Sequence, residues 1–386
     1  MIIVDATPLQ SEHKVRGVGS YTRHLCNELA KADAANEVRF VLERTGQQDL
    51  PMSLRSHSVS VWRPHKPAQV YWMYNEFMLR QALASSRPSL FHATDFNGVI
   101  TSPLYKTVAT LHDLTGLVPS DTGLSPSLAL SNLRWYVYYH HKILRADHLI
   151  AVSQFVKDDV VAKLEYPDDK VTVIPHGVDT QLYQPARGQG RFAAQNPYIA
   201  YVGSAEEHKN VKRLWAAFAN VASEHPDLSL LMCGRWQKEQ LDWLEAESRA
   251  TGLLAKVKHL GFLSSEDQVS LLANASAFVF PSLSEGFGLP VLEAMACGTP
   301  VITSNCSVLP EVAGDAALLV DPQSVEEIAA GIRRLLTDNA YAEELIRRGY
   351  RRAQDFSWKQ TAAKTMEVYQ QVLAEDSRAP RRAYAK

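Results

Sequence analysis

Two glutamates in this sequence flank a glycine-containing turn, in a segment that reads EGFGLPVLE and runs from Glu285 to Glu293. Gly286 and Gly288 would let the backbone lie close to a ligand and direct N–H groups toward it. The proline that follows suits the first turn of a helix, whose N-terminus carries partial positive charge and favours phosphate or sugar oxygens. Glu285 can accept hydrogen bonds from sugar hydroxyls, and Glu293, further along the helix, can hold a second diol such as a ribose.

Residue types and spacing alone leave structural interpretations open. The segment also fits a tight strand–turn–helix connection with two solvated carboxylates. Lys209 could be a solvated lysine at the start of a helix, and His112 a histidine that caps the turn after a strand. Gly17 and Gly19, in a lone Gly-x-Gly, also fit an ordinary turn between strand and helix.

The elements that must position these residues are short apolar runs alternating with helical patterns. Runs of four to six almost uninterrupted apolar residues are typical of strands buried on both faces of a parallel sheet. Helical patterns lie between them, for example over Ser20–Lys31 and Val325–Leu336. The predicted strands are Ile2–Asp5, Val38–Leu42, Ser89–His92, Thr107–Leu111, His148–Val152 and Val171–Ile174, then Tyr198–Val202, Ser229–Cys233, Val257–Leu260, Ala277–Phe280, Val301–Thr303 and Ala317–Val320.

This alternation in two blocks predicts an α/β protein with two doubly wound, Rossmann-like domains. The glycine- and proline-containing stretch 177–197 marks the break. We expect an N-terminal domain over 1–180, a C-terminal domain over 181–355, and a helix over 356–373 that packs back on the first domain. Residues 374–386 form a basic tail that we expect to be frayed. In such sheets ligands bind beyond the carboxyl ends of the strands, so two facing domains would share one cleft.

Composition excludes several classes of protein. The 386 residues are 46% hydrophobic and 21% charged, with a net charge of −2, which argues against a disordered chain and against a nucleic-acid-binding surface. The four cysteines form no Cys-x-x-Cys pair, so we expect reduced thiols and no zinc site. No apolar run is long enough to span a membrane, and the start MIIVDA predicts a buried strand rather than a signal peptide. These features favour a cytoplasmic protein.

A set of motifs across almost the whole chain resembles the retaining glycosyltransferases of family 4, which have the two-domain fold called GT-B. The family signature is a pair of glutamates in the spacing of Glu285 and Glu293. The other motifs occur in the family's order: RGVGSY from Arg16, TVATLHDL from Thr107, VIPHGVD from Val173, YVGS from Tyr201 with HKN from His208, AMACGTPVITSN from Ala294, LPEVAGDAALLVDP from Leu309, and FSW from Phe356.

The resemblance assigns donor-binding roles in the C-terminal domain. It implies that Glu285 contacts hydroxyls of the donor sugar and that Glu293 binds the nucleotide ribose. Lys209 would neutralise the diphosphate, and Ser204 stands where many members have an arginine, so the charge would rest more heavily on Lys209. Backbone groups of the turn would hold the sugar and distal phosphate; that turn comprises Gly286, Phe287, Gly288 and Leu289.

The resemblance also assigns roles in the N-terminal domain. Gly17 and Gly19 would line the cleft near the phosphates, and His112 would touch the donor sugar near the reacting carbon. Asp113 could orient His112 or face the acceptor, and Asp95, at another strand end, is a weaker candidate for the acceptor side. The implied catalytic set is His112, Glu285 and Lys209, without a metal or other cofactor, because GT-B enzymes generally work without one.

The donor and acceptor are expected from overall appearance only. The sequence looks most like bacterial mannosyltransferases that build surface polysaccharides. We therefore expect GDP-mannose as donor, with UDP-glucose second, and a glycan or lipid-linked acceptor. Residues 70–83 and 131–145 are rich in aromatic and basic side chains, which suits either contact with a membrane surface or ordinary core packing.

Other functions remain as alternatives. A UDP-glucose-dependent glucosyltransferase of the same fold is the first. A sugar-nucleotide-binding protein without transferase activity is the second. The presence of all four predicted site side chains argues against it: His112, Lys209, Glu285 and Glu293. A phosphorylase would need a longer chain with a pyridoxal-binding lysine, and an epimerase would lack the glutamate pair. A dehydrogenase is disfavoured because no Gly-x-Gly-x-x-Gly follows a strand.

Overall fold

A computed structural model describes residues 1–11, 17–33, 37–44, 47, 50–61, 68–114, 140–194 and 197–375, without the side chains of 68–76. The chain divides into two compact units. The first unit comprises Met1–Gly177 and Trp358–Lys386, and the second comprises Val178–Ser357. Arg16, residues 131–139 and the tail from 376 onward lie outside the described residues.

The first unit is built on a seven-stranded parallel sheet in the order β3-β2-β1-β4-β5-β6-β7. All residues of β1, β4 and β6 are buried, as the uninterrupted apolar runs predicted. The strands are β1 Ile2–Asp5, β2 Val38–Glu43, β3 Ser58–Val61, β4 Leu90–Ala93, β5 Lys106–Leu111, β6 His148–Ala151 and β7 Val171–Val173. The six strands predicted for this half of the chain are therefore confirmed, with ends that shift by at most one residue.

Strand β3 was missed by the sequence analysis. It reads SVSV and lies at the edge of the sheet, where only Val61 is buried. An edge strand needs no second apolar face, so it lacks the continuous apolar run by which the other strands were recognised.

The second unit holds a six-stranded parallel sheet in the order β10-β9-β8-β11-β12-β13. Its six predicted strands are all confirmed. They are β8 Tyr198–Val202, β9 Ser229–Cys233, β10 Val257–His259, β11 Ala277–Phe280, β12 Val301–Ser304 and β13 Leu318–Val320. Both sheets are thus the doubly wound α/β type expected from the alternation of strands and helices.

Helices connect the strands in both units. Within the described residues, the α-helices of the first unit are Gly17–Ala32, Met52–Arg55, Ala68–Ser86, Gln154–Leu164 and Trp358–Ala374. Those of the second unit are Val211–Ala222, Lys238–Ala250, Ser265–Ala273, Leu289–Ala296, Leu309–Ala313, Val325–Thr337 and Asn339–Gln354. Within the described residues, no helix has the length and apolar character needed to cross a membrane.

The C-terminal helix Trp358–Ala374 belongs to the first unit although 180 residues of the second unit precede it. Tyr369 is fully buried, and its hydroxyl lies 2.5 Å from Nδ1 of His92 on β4. The Thr361 hydroxyl donates to the carbonyl of Pro175 at 2.8 Å. The helix is therefore part of this unit's core rather than an appendage.

Each sheet changes direction of winding at one point. In the first unit β1 lies between β2 and β4, and in the second β8 lies between β9 and β11. The connections from these neighbouring strands leave to opposite faces, which opens a crevice at their carboxyl ends. This topology predicts that ligand-binding residues lie in the loops after β1, β4, β8 and β11.

Candidate functional site

The loop after β8 is held in place by a buried asparagine. It ends in a 3-10 turn, Glu207–Lys209, followed by Asn210 in the left-handed conformation with φ of 60°. Asparagine tolerates this conformation better than most residues. Its buried amide donates to the carbonyl of Pro281 at 2.9 Å and to that of Pro322 at 2.6 Å. Lys209 is thereby fixed next to the chain that leaves β11.

The loop after β11 is joined to the same turn by two further hydrogen bonds. The backbone N–H of Leu283 and the hydroxyl of Ser282 both donate to the carbonyl of His208, at 2.7 and 2.9 Å. The loops on the two sides of the crevice are therefore one connected structure. It places Lys209 and Glu285, which are 76 residues apart in sequence, in contact.

Lys209 and Glu285 form an ion pair at the switch point of the second sheet. The ammonium donates to both carboxylate oxygens of Glu285, at 2.7 and 2.9 Å. The two side chains are only 18% and 11% exposed, so the pair is screened less than a surface salt bridge. Lys209 also lies 5.5 Å from the ring centre of Phe280. The sequence predicted both residues for the site, and the structure brings them together.

The turn that follows Glu285 is shaped by two residues. Gly288 has φ of 97° and caps the helix Leu289–Ala296, so a side chain there would be strained and would also meet Leu309 at 2.9 Å. Phe287 is buried and packs edge-on against Phe356 with 5.8 Å between ring centres. Its ring anchors the turn, which leaves any ligand contact of Phe287 to its backbone. The N–H of Glu285 donates to the hydroxyl of Ser307 at 3.1 Å.

Glu293 lies in a pocket of hydrogen-bond donors further along this helix. Gln268 Nε2 donates to its carboxylate at 2.9 Å and to the hydroxyl of Tyr183 at 3.1 Å, and that hydroxyl is also hydrogen-bonded to Glu293. Burial raises the pKa of Glu293 to about 7, and the hydrogen bonds from Tyr183 and Gln268 act in the opposite direction. The pKa of this carboxyl group therefore lies close to neutral pH.

The end of β8 offers no second positive charge at the position of Ser204. Tyr201 donates its hydroxyl to the carbonyl of Ser204 at 2.6 Å, and the Ser204 side chain is partly exposed. Next to it, Gly203 and Gly234 approach so closely that a Cβ on Gly234 would lie 2.1 Å from the Gly203 carbonyl oxygen. The backbones at the carboxyl ends of β8 and β9 are therefore in direct contact, and the indole N–H of Trp236 also donates to the Gly203 carbonyl, at 2.9 Å.

In the first unit, His112 follows β5 at the carboxyl edge of the sheet. Its Nε2 donates to the carbonyl of Thr94, which follows β4, at 2.9 Å. Tyr21 contacts the imidazole edge-on at 4.8 Å between ring centres, and His176 lies at 5.2 Å. Burial keeps the pKa of His176 well below its usual range, so that neighbour is neutral. The hydrogen bond to Thr94 and the ring contacts with Tyr21 and His176 thus help to fix the ring of His112.

The glycines Gly17 and Gly19 form the first turn of the helix Gly17–Ala32. Gly17 is exposed and Gly19 is buried. Tyr21, which touches His112, belongs to the same helix, so the glycine turn and His112 lie in one neighbourhood. The predicted start of the helix at these glycines is present, and residues 12–16, which precede it, lie outside the described residues.

The two acidic candidates of the first unit differ in surroundings. Asp95 is buried at the end of β4, and its Oδ2 accepts a hydrogen bond from Asn97 at 2.7 Å. Asp113 is partly exposed beside His112 in the chain. A buried carboxylate that already accepts a hydrogen bond from Asn97 is a poorer acceptor for a sugar hydroxyl than a partly exposed one, so the geometry favours Asp113.

Sequence reasoning missed the side chains that surround the predicted residues. Tyr183 and Gln268 hold Glu293, while Tyr21 and His176 hold His112. Tyr21 and His176 lie in the RGVGSY and VIPHGVD motifs, so a signal existed, but it did not say what they touch. Tyr183 and Gln268 lie in a linker and an amphipathic helix, whose patterns carry no such signal.

Comparison with known families shows to which family the chain belongs. Residues 15–182 match the family described as Glycosyltransferase Family 4, and residues 184–352 match the family described as Glycosyl transferases group 1. The chain belongs to these glycosyltransferases. The two matched regions together span most of the chain, which confirms the membership expected from the sequence motifs.

The relatives of this glycosyltransferase include bacterial mannosyltransferases. The O-antigen chain mannosyltransferase B of Escherichia coli is 28% identical over 393 residues, covering 95% of this chain and 99% of that protein. The MMP alpha-(1->4)-mannosyltransferase of Mycolicibacterium hassiacum is 35% identical over 249 residues, 62% of this chain and 59% of that protein. A solved sucrose-phosphate synthase from Thermosynechococcus elongatus has a TM-score of 0.78 at 22% identity, covering 97% of this chain and 99% of that one, which shows the shared GT-B fold.

Proposed function

We propose that this glycosyltransferase moves mannose from GDP-mannose to a glycan or lipid-linked acceptor, with retention of anomeric configuration and without a metal ion. The observation that carries the donor assignment is the Lys209–Glu285 pair, held at the switch point of the second sheet. Mannose is supported by the two relatives that are mannosyltransferases, from Escherichia coli and Mycolicibacterium hassiacum.

In this proposal the second unit binds the nucleotide sugar. The ribose hydroxyls donate to Glu293, and the diphosphate lies between Lys209 and the N-terminus of the helix Leu289–Ala296, where a positive charge and a helix dipole both favour an anion. Glu285 accepts hydrogen bonds from hydroxyls of the sugar. Ser204 offers no guanidinium here, so Lys209 supplies most of the side-chain charge for the leaving group.

The reaction breaks the bond between the anomeric carbon and the diphosphate oxygen. An acceptor hydroxyl attacks the anomeric carbon from the same face, and its proton passes to the departing phosphate. Lys209 stabilises the negative charge that develops on the leaving group. Glu285 acts as a ligand of the sugar rather than as a nucleophile, because Lys209 already donates hydrogen bonds to both of its oxygens. Within the first unit, His112 and Asp113 are the proposed ligands of sugar hydroxyls.

A donor panel tests this function. Purified protein is mixed with GDP-mannose, UDP-glucose and the free nucleoside diphosphates, and thermal stabilisation and slow donor hydrolysis are measured with and without EDTA. We expect GDP and GDP-mannose to stabilise the protein, and GDP-mannose to be hydrolysed in the presence of EDTA. Glu285→Ala should lower hydrolysis by about 10²-fold, as expected when a transition-state contact is lost.

Glu206→Ala is the matched control, since Glu206 is an exposed carboxylate on the loop that carries Lys209. It should behave like the wild type. Consumption of UDP-glucose instead would establish the glucosyltransferase alternative, and binding without hydrolysis or transfer would favour a non-catalytic binding protein. No stabilisation by any donor or diphosphate, with wild type and Glu285→Ala alike, would reject the proposal.

The raised pKa of Glu293 predicts a pH dependence of nucleotide binding. The ribose hydroxyls donate hydrogen bonds, so they favour the ionised carboxylate, which predominates above about pH 7. The Kd for GDP should therefore be constant above that pH and should rise by up to about tenfold for each unit below it. Titration calorimetry at several pH values measures this.

Glu293→Gln removes the titrating group but keeps the size of the side chain. Protonation of the nucleotide's phosphates affects both proteins equally, so the difference between their pH profiles isolates Glu293. Parallel profiles for wild type and variant would contradict a role for this carboxylate in holding the ribose.

A further inference from the structure

A pocket of about 350 Å³ lies in the second unit, and none of its lining residues belongs to the proposed donor site. Three arginines stand around it, Arg187, Arg347 and Arg351. Arg347 forms an ion pair with Glu344 on its own helix. Within the described part of the chain, Arg187 and Arg351 have no ion-pair partner. The pocket therefore carries positive charge that the protein itself only partly neutralises.

The remaining walls of the pocket are mostly apolar. Ile346 and Tyr350 lie on the same face of the helix Asn339–Gln354 as Arg347 and Arg351, because residues three and four apart are neighbours on a helix. Tyr350 is 46% exposed, so its ring is accessible to a ligand in the pocket. Pro185 faces this helix from the linker. A volume of this size is at the lower end of small-molecule pockets.

We propose that this pocket binds a small phosphate monoester attached to an apolar or aromatic body. Guanidinium groups bind phosphate through parallel N–H donors and do so more strongly than neutral donors. The ring of Tyr350 and the side chains of Ile346 and Pro185 would cover the apolar part of the ligand. Arg187 and Arg351 approach from different segments of the chain, so a bound phosphate would join the linker to the helix.

The pocket is connected to the nucleotide site through three shared elements. Pro185 lies two residues after Tyr183, which is hydrogen-bonded to Glu293. Ala273, in the pocket wall, ends the helix that carries Gln268, the other partner of Glu293. Cys297 and Gly298, also in the wall, directly follow the helix that carries Glu293 itself.

This arrangement predicts coupling between the pocket and the proposed nucleotide site. The linker 180–194 contains no helix or strand. The N–H of Tyr183 donates to the carbonyl of Asp179 at 2.8 Å, and its hydroxyl is hydrogen-bonded to Gln268 and Glu293. A ligand that fixes Pro185 and Arg187 against the helix would also restrict Tyr183 beside Glu293. Pre-ordering of this kind should tighten nucleotide binding, and by linkage the nucleotide should tighten binding in the pocket by the same factor. The coupling rests on the proposed function, whereas the pocket's own ligand binding does not.

Titration calorimetry with phenyl phosphate, without nucleotide, tests the site. We expect phenyl phosphate to bind the full-length protein, and the triple variant Arg187→Ala/Arg347→Ala/Arg351→Ala to bind it at least about tenfold more weakly. The control Lys238→Ala/Arg249→Ala/Lys258→Ala removes the same charge from exposed positions outside the pocket and should bind normally. The double variant Lys209→Met/Glu285→Gln should also bind normally, since it removes both charges of the proposed donor site and leaves the pocket unchanged.

Further arms of the experiment define the ligand. Inorganic phosphate should bind more weakly than phenyl phosphate, and phosphatidylcholine vesicles with phosphatidic acid show whether a lipid headgroup can supply the same chemistry. Arginine-dependent binding to the vesicles alone would identify the lipid as the source. Equal binding of phenyl phosphate by both triple variants, or no arginine-dependent binding of either phenyl phosphate or the vesicles, would overturn the site. Equal affinity for inorganic phosphate and phenyl phosphate would overturn the apolar part of the ligand.

The coupling has its own measurement. Saturating phenyl phosphate should lower the Kd for GDP by about fivefold in the wild type, at the low end of typical coupling between sites, and should leave it unchanged in the arginine variant. Binding in the pocket with an unaltered Kd for GDP in the wild type would reject the coupling. If GDP fails to bind at all while phenyl phosphate binds in an arginine-dependent way, the proposed function is wrong and the pocket stands.

Discussion

Replacing Lys209 by methionine is expected to lower the turnover of the nucleotide sugar by about 10²–10³-fold, the usual effect of removing one group that stabilises charge developing in a transition state. Methionine keeps much of the length of the side chain but cannot donate to the leaving diphosphate. Ser204 provides no arginine that could take over. The loss should appear in kcat and in kcat/KM alike, because the contact strengthens as the diphosphate departs.

Steady-state kinetics of Lys209→Met, Lys209→Arg and the control Lys212→Met measure this effect. Lys212 is exposed on the neighbouring helix and lies over Trp243, so its loss should not change turnover. The arginine variant should recover part of the rate, since it restores the charge. A raised KM with unchanged kcat would instead show that Lys209 only binds the donor in its ground state.

The methionine variant has a structural consequence that must be separated from the kinetic one. Removing the ammonium leaves Glu285 almost buried without its partner, which destabilises the fold. The double variant Lys209→Met/Glu285→Gln removes both charges and should recover thermal stability while remaining inactive. Recovery of activity together with stability would contradict a direct role for Lys209.

Replacing Gly234 by alanine is expected to destabilise the second unit by about 2–4 kcal/mol, a large effect for one methyl group. Gly234 has φ of 143°, which side chains rarely adopt, and its Cβ would lie 2.1 Å from the carbonyl oxygen and 2.7 Å from the carbonyl carbon of Gly203. Backbone atoms cannot move aside as a flexible side chain can. The loops after β8 and β9 would have to separate.

Hydrogen exchange of peptides that contain β8 and β9, measured in increasing urea, reports this loss for the second unit by itself. Gly252→Ala is the matched control, because Gly252 has φ of 73° but no atom within 4 Å of the added methyl group. It should cost about 1 kcal/mol from backbone strain alone. Equal effects of the two substitutions would show that the close approach of Gly203 and Gly234 contributes nothing to stability.

The proposed pocket adds a regulatory aspect to the same unit. Glu293 has a pKa near 7 and depends on Tyr183 and Gln268 for its hydrogen bonds. Side chains held in such a balance respond to small changes in their neighbours. A ligand that binds beside Pro185 and Cys297 would act on all three elements that surround this carboxyl group, without occupying the donor site.

The strands, the two doubly wound domains and the family could all be predicted from the sequence alone. Buried parallel strands are continuous apolar runs, so twelve of them were recognisable from local pattern, and β3 was missed because an edge strand has no such run. The turn from Glu285 to Gly288 could also be predicted from the residues of the turn itself. Glycine conformation and a following proline specify it without reference to the rest of the chain.

The contacts between distant side chains could be read only from the tertiary structure. The pairing of Lys209 with Glu285 depends on β8 lying beside β11, and strand order is set by the packing of whole helices and sheets rather than by neighbouring residues. The same holds for Glu293 with Gln268 and Tyr183, and for His112 with Tyr21 and His176. Charge balance follows from these contacts, because burial and hydrogen-bond partners fix a pKa, and neither is encoded in a short segment of sequence.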